Sequence, residues 1–132
     1  MHVNFSAVTA ATLVSYVFGS LWYLVLGDSW RRSVGWVETV PSYRPTGLEL
    51  TIGFIGQFVI AFALSGLITH MGGASLKTGL ITAVGIWIGF ILPTLTTNVV
   101  FQRRDRMLIW QDGLHWLIIL AVQGVVLGLM GP

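Results

Sequence analysis

Four apolar runs dominate the chain: Phe5 to Gly27, Leu48 to Ile68, Thr78 to Phe101 and Met107 to Met130. A helix of about 20 mainly apolar residues crosses a bilayer core, and none of the four runs holds a Lys or Arg. The connections between them are a longer one at 28–47, a Gly-rich one at 70–77 and a charged one at 102–106. Short connections make sequential helices antiparallel neighbours. The pattern therefore predicts an all-α integral membrane protein, an up-down bundle of four transmembrane helices forming one domain over residues 1–132.

A second period lies inside the first connection. Trp30, Val34 and Val37 recur at i, i+4 and i+7 with Trp36 and Val40 on the flank, while Arg31, Arg32 and Glu38 fall opposite. Asp28 or Ser29 can cap such a segment and Pro41 would stop it. The spacing predicts a short amphipathic helix lying in the membrane interface. Trp22, Trp30, Trp36 and Trp110 are the expected interfacial anchors.

Composition agrees with lipid as the solvent. Of 132 residues, 55% are hydrophobic and 9% charged, whereas soluble domains carry about 25% charged residues. A chain this short cannot hide so much apolar surface from water. The absence of Cys excludes a disulfide scaffold. Six of the seven cationic side chains are the arginines at 31, 32, 44, 103, 104 and 106, in the first and third connections. They punctuate loops and suggest no nucleic-acid partner. By the positive-inside rule those loops face the cytoplasm and both termini face outward. No basic region precedes the first run, which argues against a cleaved signal peptide.

Lipid does not drive helices together as water does, so close approach needs small residues at helical spacing. Each run supplies them: Ser15 and Gly19, Gly53 and Gly56, Gly85 and Gly89, Gly124 and Gly128. They predict tight packing within the bundle or between copies of it.

Polar residues concentrate toward the arginine-bearing loops. Thr94, Thr97 and Asn98 share one helix face, Asp112 and His115 another, and Glu49 and Gln57 line a stripe with Gly53 and Gly56. Tyr23 ends the first run at the same side. Pairing about the 102–106 tip sets Asn98 near Gln111 and Thr94 near His115. Pro93 removes an N–H and should kink its helix. His115 would sit about 13 Å past Arg106 at ~1.5 Å per residue. An ionisable group at that depth marks a candidate site, here a polar pocket open to the cytoplasm and lined by Tyr23, Glu49, Gln57, Thr94, Thr97, Asn98, Asp112 and His115. The alternative is a structural histidine bonding two helices together. Gln123 lies in the other half, suited to interhelical hydrogen bonding. No metal set, catalytic Cys, phosphate loop or Ser–His–Asp arrangement is present, so neither a cofactor nor an enzymatic activity is indicated.

Gly19-Ser-Leu-Trp22-Tyr23, Gly27-Asp-Ser-Trp30, Trp87-Ile-Gly-Phe90, Trp110-Gln-Asp-Gly-Leu-His115 and Gln123-Gly-Val-Val-Leu-Gly128 together resemble a family of small bacterial inner-membrane proteins, domain of unknown function 1761. The resemblance spans nearly the whole chain. It implies four helices and an inner-membrane location, points to Trp22, Trp30 and His115, and supplies no chemistry. Two functions fit. One is a homo-oligomer among membrane lipids whose pocket binds or conducts a small molecule or proton. The other is an accessory subunit packing on a larger membrane complex.

Overall fold

The computed structural model describes residues 2–36 and 44–131. Four helices account for nearly all of them: α1 Phe5–Val34, α2 Gly47–His70, α3 Leu76–Phe101 and α4 Met107–Met130, each long and apolar enough to span a membrane. The protein is an all-α, four-helix membrane protein.

Caps set most of the ends. Asn4 Oδ1 accepts the Ala7 N–H at 3.0 Å, and Asn4 Nδ2 donates to the Gly131 carbonyl at 3.4 Å, tying the start of α1 to the end of α4. Thr46 and Glu49 form a reciprocal capping box at the start of α2. Ser75 Oγ accepts the Thr78 N–H at 3.0 Å to start α3.

The first connection departs from expectation. Asp28–Val34 is helical, but as the continuation of α1. At ~1.5 Å per residue the 30-residue α1 is about 45 Å long, more than a hydrocarbon core requires. It ends at Gly35, whose φ of +92° needs no Cβ. The Trp36 N–H then reaches the Arg31 carbonyl, and the Gly35 N–H reaches that of Arg32, a Schellman closure. The rest of the expected interfacial helix, 37–40, lies outside the described residues.

Cross-contacts give the register. Tyr23 meets Asp112 on α4, Ser15 meets Gln57 on α2, and Trp87 meets Gly113 on α4. Each pair is antiparallel, and α4 is central, packed by α1 on one side and α3 on the other. Gly79 faces Gly124, and Gly128 faces Ser75 and Leu76, backbone against backbone. Away from the arginine-bearing loops, Ala7, Val8 and Ala11 of α1 pack with Ala61, Leu64 and Ile68 of α2 and Leu120 and Leu127 of α4 into an apolar core. Small side chains on α1 let the helices close there. That end is called the far end below, and the other the arginine end.

Ahead of Pro93 the chain does not keep the regular α-helical ladder. Trp87–Ile91 instead forms a π turn, with the Leu92 N–H reaching back to the Trp87 carbonyl. The wider turn accommodates a ring that would otherwise crowd the carbonyl four residues earlier.

Candidate functional site

Toward the arginine end α1 and α2 no longer pack through small side chains. The gap is a cavity of about 600 Å³ between them, floored by α4. Tyr16 marks its inner edge, its hydroxyl donating to the Leu50 carbonyl at 2.9 Å. Tyr23, Trp30 and Trp116 form aromatic walls, and Arg31 and Glu49 stand at the mouth. Arg31 is ion-paired to Asp28, and Glu49 also serves the α2 cap.

Four of the predicted pocket residues line this space: Tyr23, Glu49, Gln57 and His115. Gly19 and Gly53, read from the sequence as packing positions, line it too. His115 is 6% exposed and Gln57 5%. The His115 ring lies 4.7 Å, centroid to centroid, from that of Tyr23 and 5.0 Å from that of Trp116. Gly19 is the seat against which they converge. A Cβ there would come within 2.9 Å of His115 Nε2 and 3.3 Å of Gln57 Nε2.

Asp112 sits behind the cavity rather than in it. Its Oδ1 accepts the Tyr23 hydroxyl at 2.6 Å and the Trp30 indole N–H at 3.0 Å. The neighbouring turn of α4 is held the same way. Trp22 donates to the Gln111 carbonyl at 3.0 Å, Trp87 to the Gly113 carbonyl at 2.7 Å, and Gln111 Nε2 to Ser29 Oγ at 2.9 Å. Trp22 and Trp30, expected as membrane anchors, thus bind α4. Trp110 is 64% exposed, as an anchor would be. Trp36 stacks edge-on against Trp30.

Thr94, Thr97 and Asn98 do not join the site. All three are exposed. Leu92 and Leu95 pack on Gly113, and Val99 is buried, so this apolar stripe faces α4 and turns the three polar residues outward. Their side chains have no hydrogen-bond partner among the described residues. Gly85 and Gly89 face open space on the same helix, as Gly56 does on α2. The close approach on α3 falls to Gly79, which has no glycine four residues away to mark it in the sequence.

Beneath the cavity lies a fully internal polar cluster. Ser15 Oγ donates to Gln57 Oε1 at 2.7 Å. Gln123 Nε2 donates to Ser15 Oγ at 3.0 Å and to the Gln57 carbonyl at 3.1 Å. Gln123, without an evident partner in the sequence, joins three helices. Tyr16, Ser20 and Trp116 were not legible as lining residues, because an aromatic or a serine in a membrane helix has no spacing signal of its own. Among the described residues no three His, Asp or Glu side chains come together as metal ligands.

Residues 6–128 match the family described as Protein of unknown function (DUF1761), and the chain belongs to that family. No curated protein and no solved structure matches it.

Proposed function

We propose that this DUF1761 member is a binding protein of the bacterial inner membrane, holding a small molecule in the cavity between α1, α2 and α4. The carrying observation is how the cavity ends. Gln57, Ser15 and Gln123 close its floor with hydrogen bonds among themselves, and beyond them the described core is apolar apart from the separate hydroxyls of Thr12, Ser65 and Thr82. A conduit needs a continuous hydrated path; a receptor needs a blind, partly polar pocket. The second arrangement fits this chain.

The chain carries no cysteine, so single-cysteine variants test the reading directly. Ser20→Cys, on the cavity wall, should react with a polar maleimide, and Thr12→Cys, fully buried below the floor, should not. Proteoliposomes should leak neither protons nor small ions. Labelling of both positions, or a flux that His115→Gln abolishes, would replace binding by conduction.

Six loop arginines support a cytoplasmic arginine end and outward termini. Lys77→Cys and Arg104→Cys should therefore be labelled from opposite sides of a sealed inner-membrane vesicle, with Arg104→Cys on the cytoplasmic face. The outer face of α3 supports self-association. Asn98, Thr94 and Thr97 are exposed without a partner among the described residues, and further along the same helix Gly85 and Gly89 meet no other part of the chain and permit close approach. A second copy in the same orientation presents the same donors and acceptors. Gly89→Leu should lower the particle mass in detergent; an unchanged mass would leave this face to a larger membrane complex and favour the accessory reading.

A further inference from the structure

The inner end of the cavity has a specific chemistry. Gln57 Oε1 is engaged by Ser15, which turns Gln57 Nε2 toward the seat over Gly19, where it has no partner among the described residues. His115 Nδ1 is buried without a partner. A neutral imidazole has one N–H and one bare nitrogen, and a buried unpaired acceptor is less costly than a buried unpaired N–H. That leaves the bare nitrogen at Nδ1 and the N–H at Nε2, beside the Gln57 amide. Two donors thus flank Gly19 closely, with Ile119 beside them, and all of Gly19, Gln57 and His115 line the cavity from which a ligand atom would meet both.

We infer that this inner end is a seat for the carbonyl or hydroxyl oxygen of a neutral, lipid-soluble molecule, held by Gln57 Nε2–H and His115 Nε2–H. The inference rests on the pocket reading above and names its ligand class. Neutrality follows from the charges around the cavity. Its cation, Arg31, is 12 residues along α1 from Gly19, about 18 Å at ~1.5 Å per residue, and is already paired to Asp28. A carboxylate at the seat would lose its hydration with no cation to replace it. Lipid solubility follows from the wall. Leu24 and Leu50 line the cavity, yet are 78% and 44% exposed, so the gap between α1 and α2 opens sideways onto acyl chains. Tyr16, Tyr23 and Trp116 supply flat apolar surface along the cavity, and Leu24 and Leu50 add to it, a wall suited to a hydrocarbon tail. About 600 Å³ lies within the ordinary range of small-molecule sites.

Trp30 and Trp116 line the cavity, so a quinone reports its own arrival by quenching. The protein in phosphatidylcholine nanodiscs would be titrated with decylubiquinone, which is neutral and carries two ring carbonyls. Saturable quenching is expected, with dodecanol displacing the probe at least tenfold better than dodecanoate. Gly19→Ala, whose methyl pushes both donors out of place, and His115→Phe, which removes one of them, should each weaken binding about tenfold. His115→Gln, which keeps a donor, should weaken it less than threefold. The methyl meets only side-chain ends, which can yield, so Gly19→Ala should stay folded; the His115→Gln and His115→Phe pair tests the seat independently. Dodecanoate competing as well as dodecanol would overturn neutrality and leave the pocket standing. Quenching that never saturates, or that ignores both Gly19→Ala and His115→Phe, would overturn the seat. Labelling of Ser20→Cys then separates the failures: a reactive thiol leaves the pocket with a different ligand, and an unreactive one removes the pocket as well.

Discussion

Replacing Gly79 by alanine puts a methyl carbon 2.0 Å from the Gly124 carbonyl oxygen and 2.8 Å from its carbonyl carbon. Ordinary van der Waals contact begins near 3.4 Å, so α3 must retreat from α4 by about 1.4 Å at this level. The obstacle is backbone in the middle of a helix and cannot rotate aside. The retreat also loosens Gly128 from Ser75 and Leu76, one turn further on. Overpacking costs ~1–3 kcal/mol where side chains can adjust, so a rigid backbone clash belongs at or above the upper end. Alanine returns about 1 kcal/mol through helix propensity, leaving a net loss of about 2 kcal/mol or more. Gly85→Ala is the control, because its added Cβ meets nothing within 4 Å. It keeps the propensity gain, and the monomer should be unchanged or up to about 1 kcal/mol more stable. The assay is reversible unfolding in mixed micelles titrated with dodecyl sulfate, followed by far-ultraviolet circular dichroism and tryptophan emission. A Gly79→Ala midpoint equal to wild type, or a Gly85→Ala loss as large, would refute the assignment of the α3–α4 contact.

Gln123→Leu strips one donor from Ser15 and the Gln57 carbonyl together, and should cost about 1–2 kcal/mol in the same titration. Tyr23→Phe removes the shorter of two bonds to Asp112. A loss of about 1–3 kcal/mol is expected, and Asp112→Asn in the Tyr23→Phe background should cost less than it does alone. Gly35→Ala forces a side chain into a φ of +92° and should fray the last turn of α1, seen as faster amide exchange at Val34 and Trp36 with the core untouched.

The spans were legible because the lipid requirement acts on every residue of a run, so twenty weak signals add. The boundary of α1 was not, because one residue decides it. The first run was expected to end near Gly27, with Pro41 stopping a separate interfacial helix, yet α1 runs on to Gly35, which ends it through backbone hydrogen bonds that leave little trace in an apolar periodicity. Facing was harder still. Aligning α3 and α4 outward from their tip pairs residues correctly in height only if the turn is ideal and the helix regular. Between the tip and Leu92 the helix is regular, yet height does not fix facing, and the Leu92, Leu95 and Val99 stripe decides which side meets α4. A glycine pair four apart was equally ambiguous. Gly124 and Gly128 touch backbone on α3, whereas Gly85 and Gly89 touch nothing, and the sequence spacing is identical.

The residues that carry the family resemblance acquire a physical reason in three dimensions. Trp22, Tyr23 and Trp30 of α1 and Trp87 of α3 all donate to consecutive residues of α4, at Gln111, Asp112 and Gly113. A helix gripped from both sides over three successive residues cannot rotate about its axis. The next inward-facing residue is His115, so its ring direction is set by bonds it does not itself make. A histidine serving only to join helices would spend a ring nitrogen on a protein partner, as Gln123 spends its Nε2 on Ser15 and Gln57 although its Oε1 is buried without one. The network stops short of His115 instead, leaving Nδ1 bare and Nε2 over the glycine seat. Rigid support around an unspent polar group is the arrangement a binding site requires, because the orientation is fixed before the ligand arrives and need not be restricted when it does.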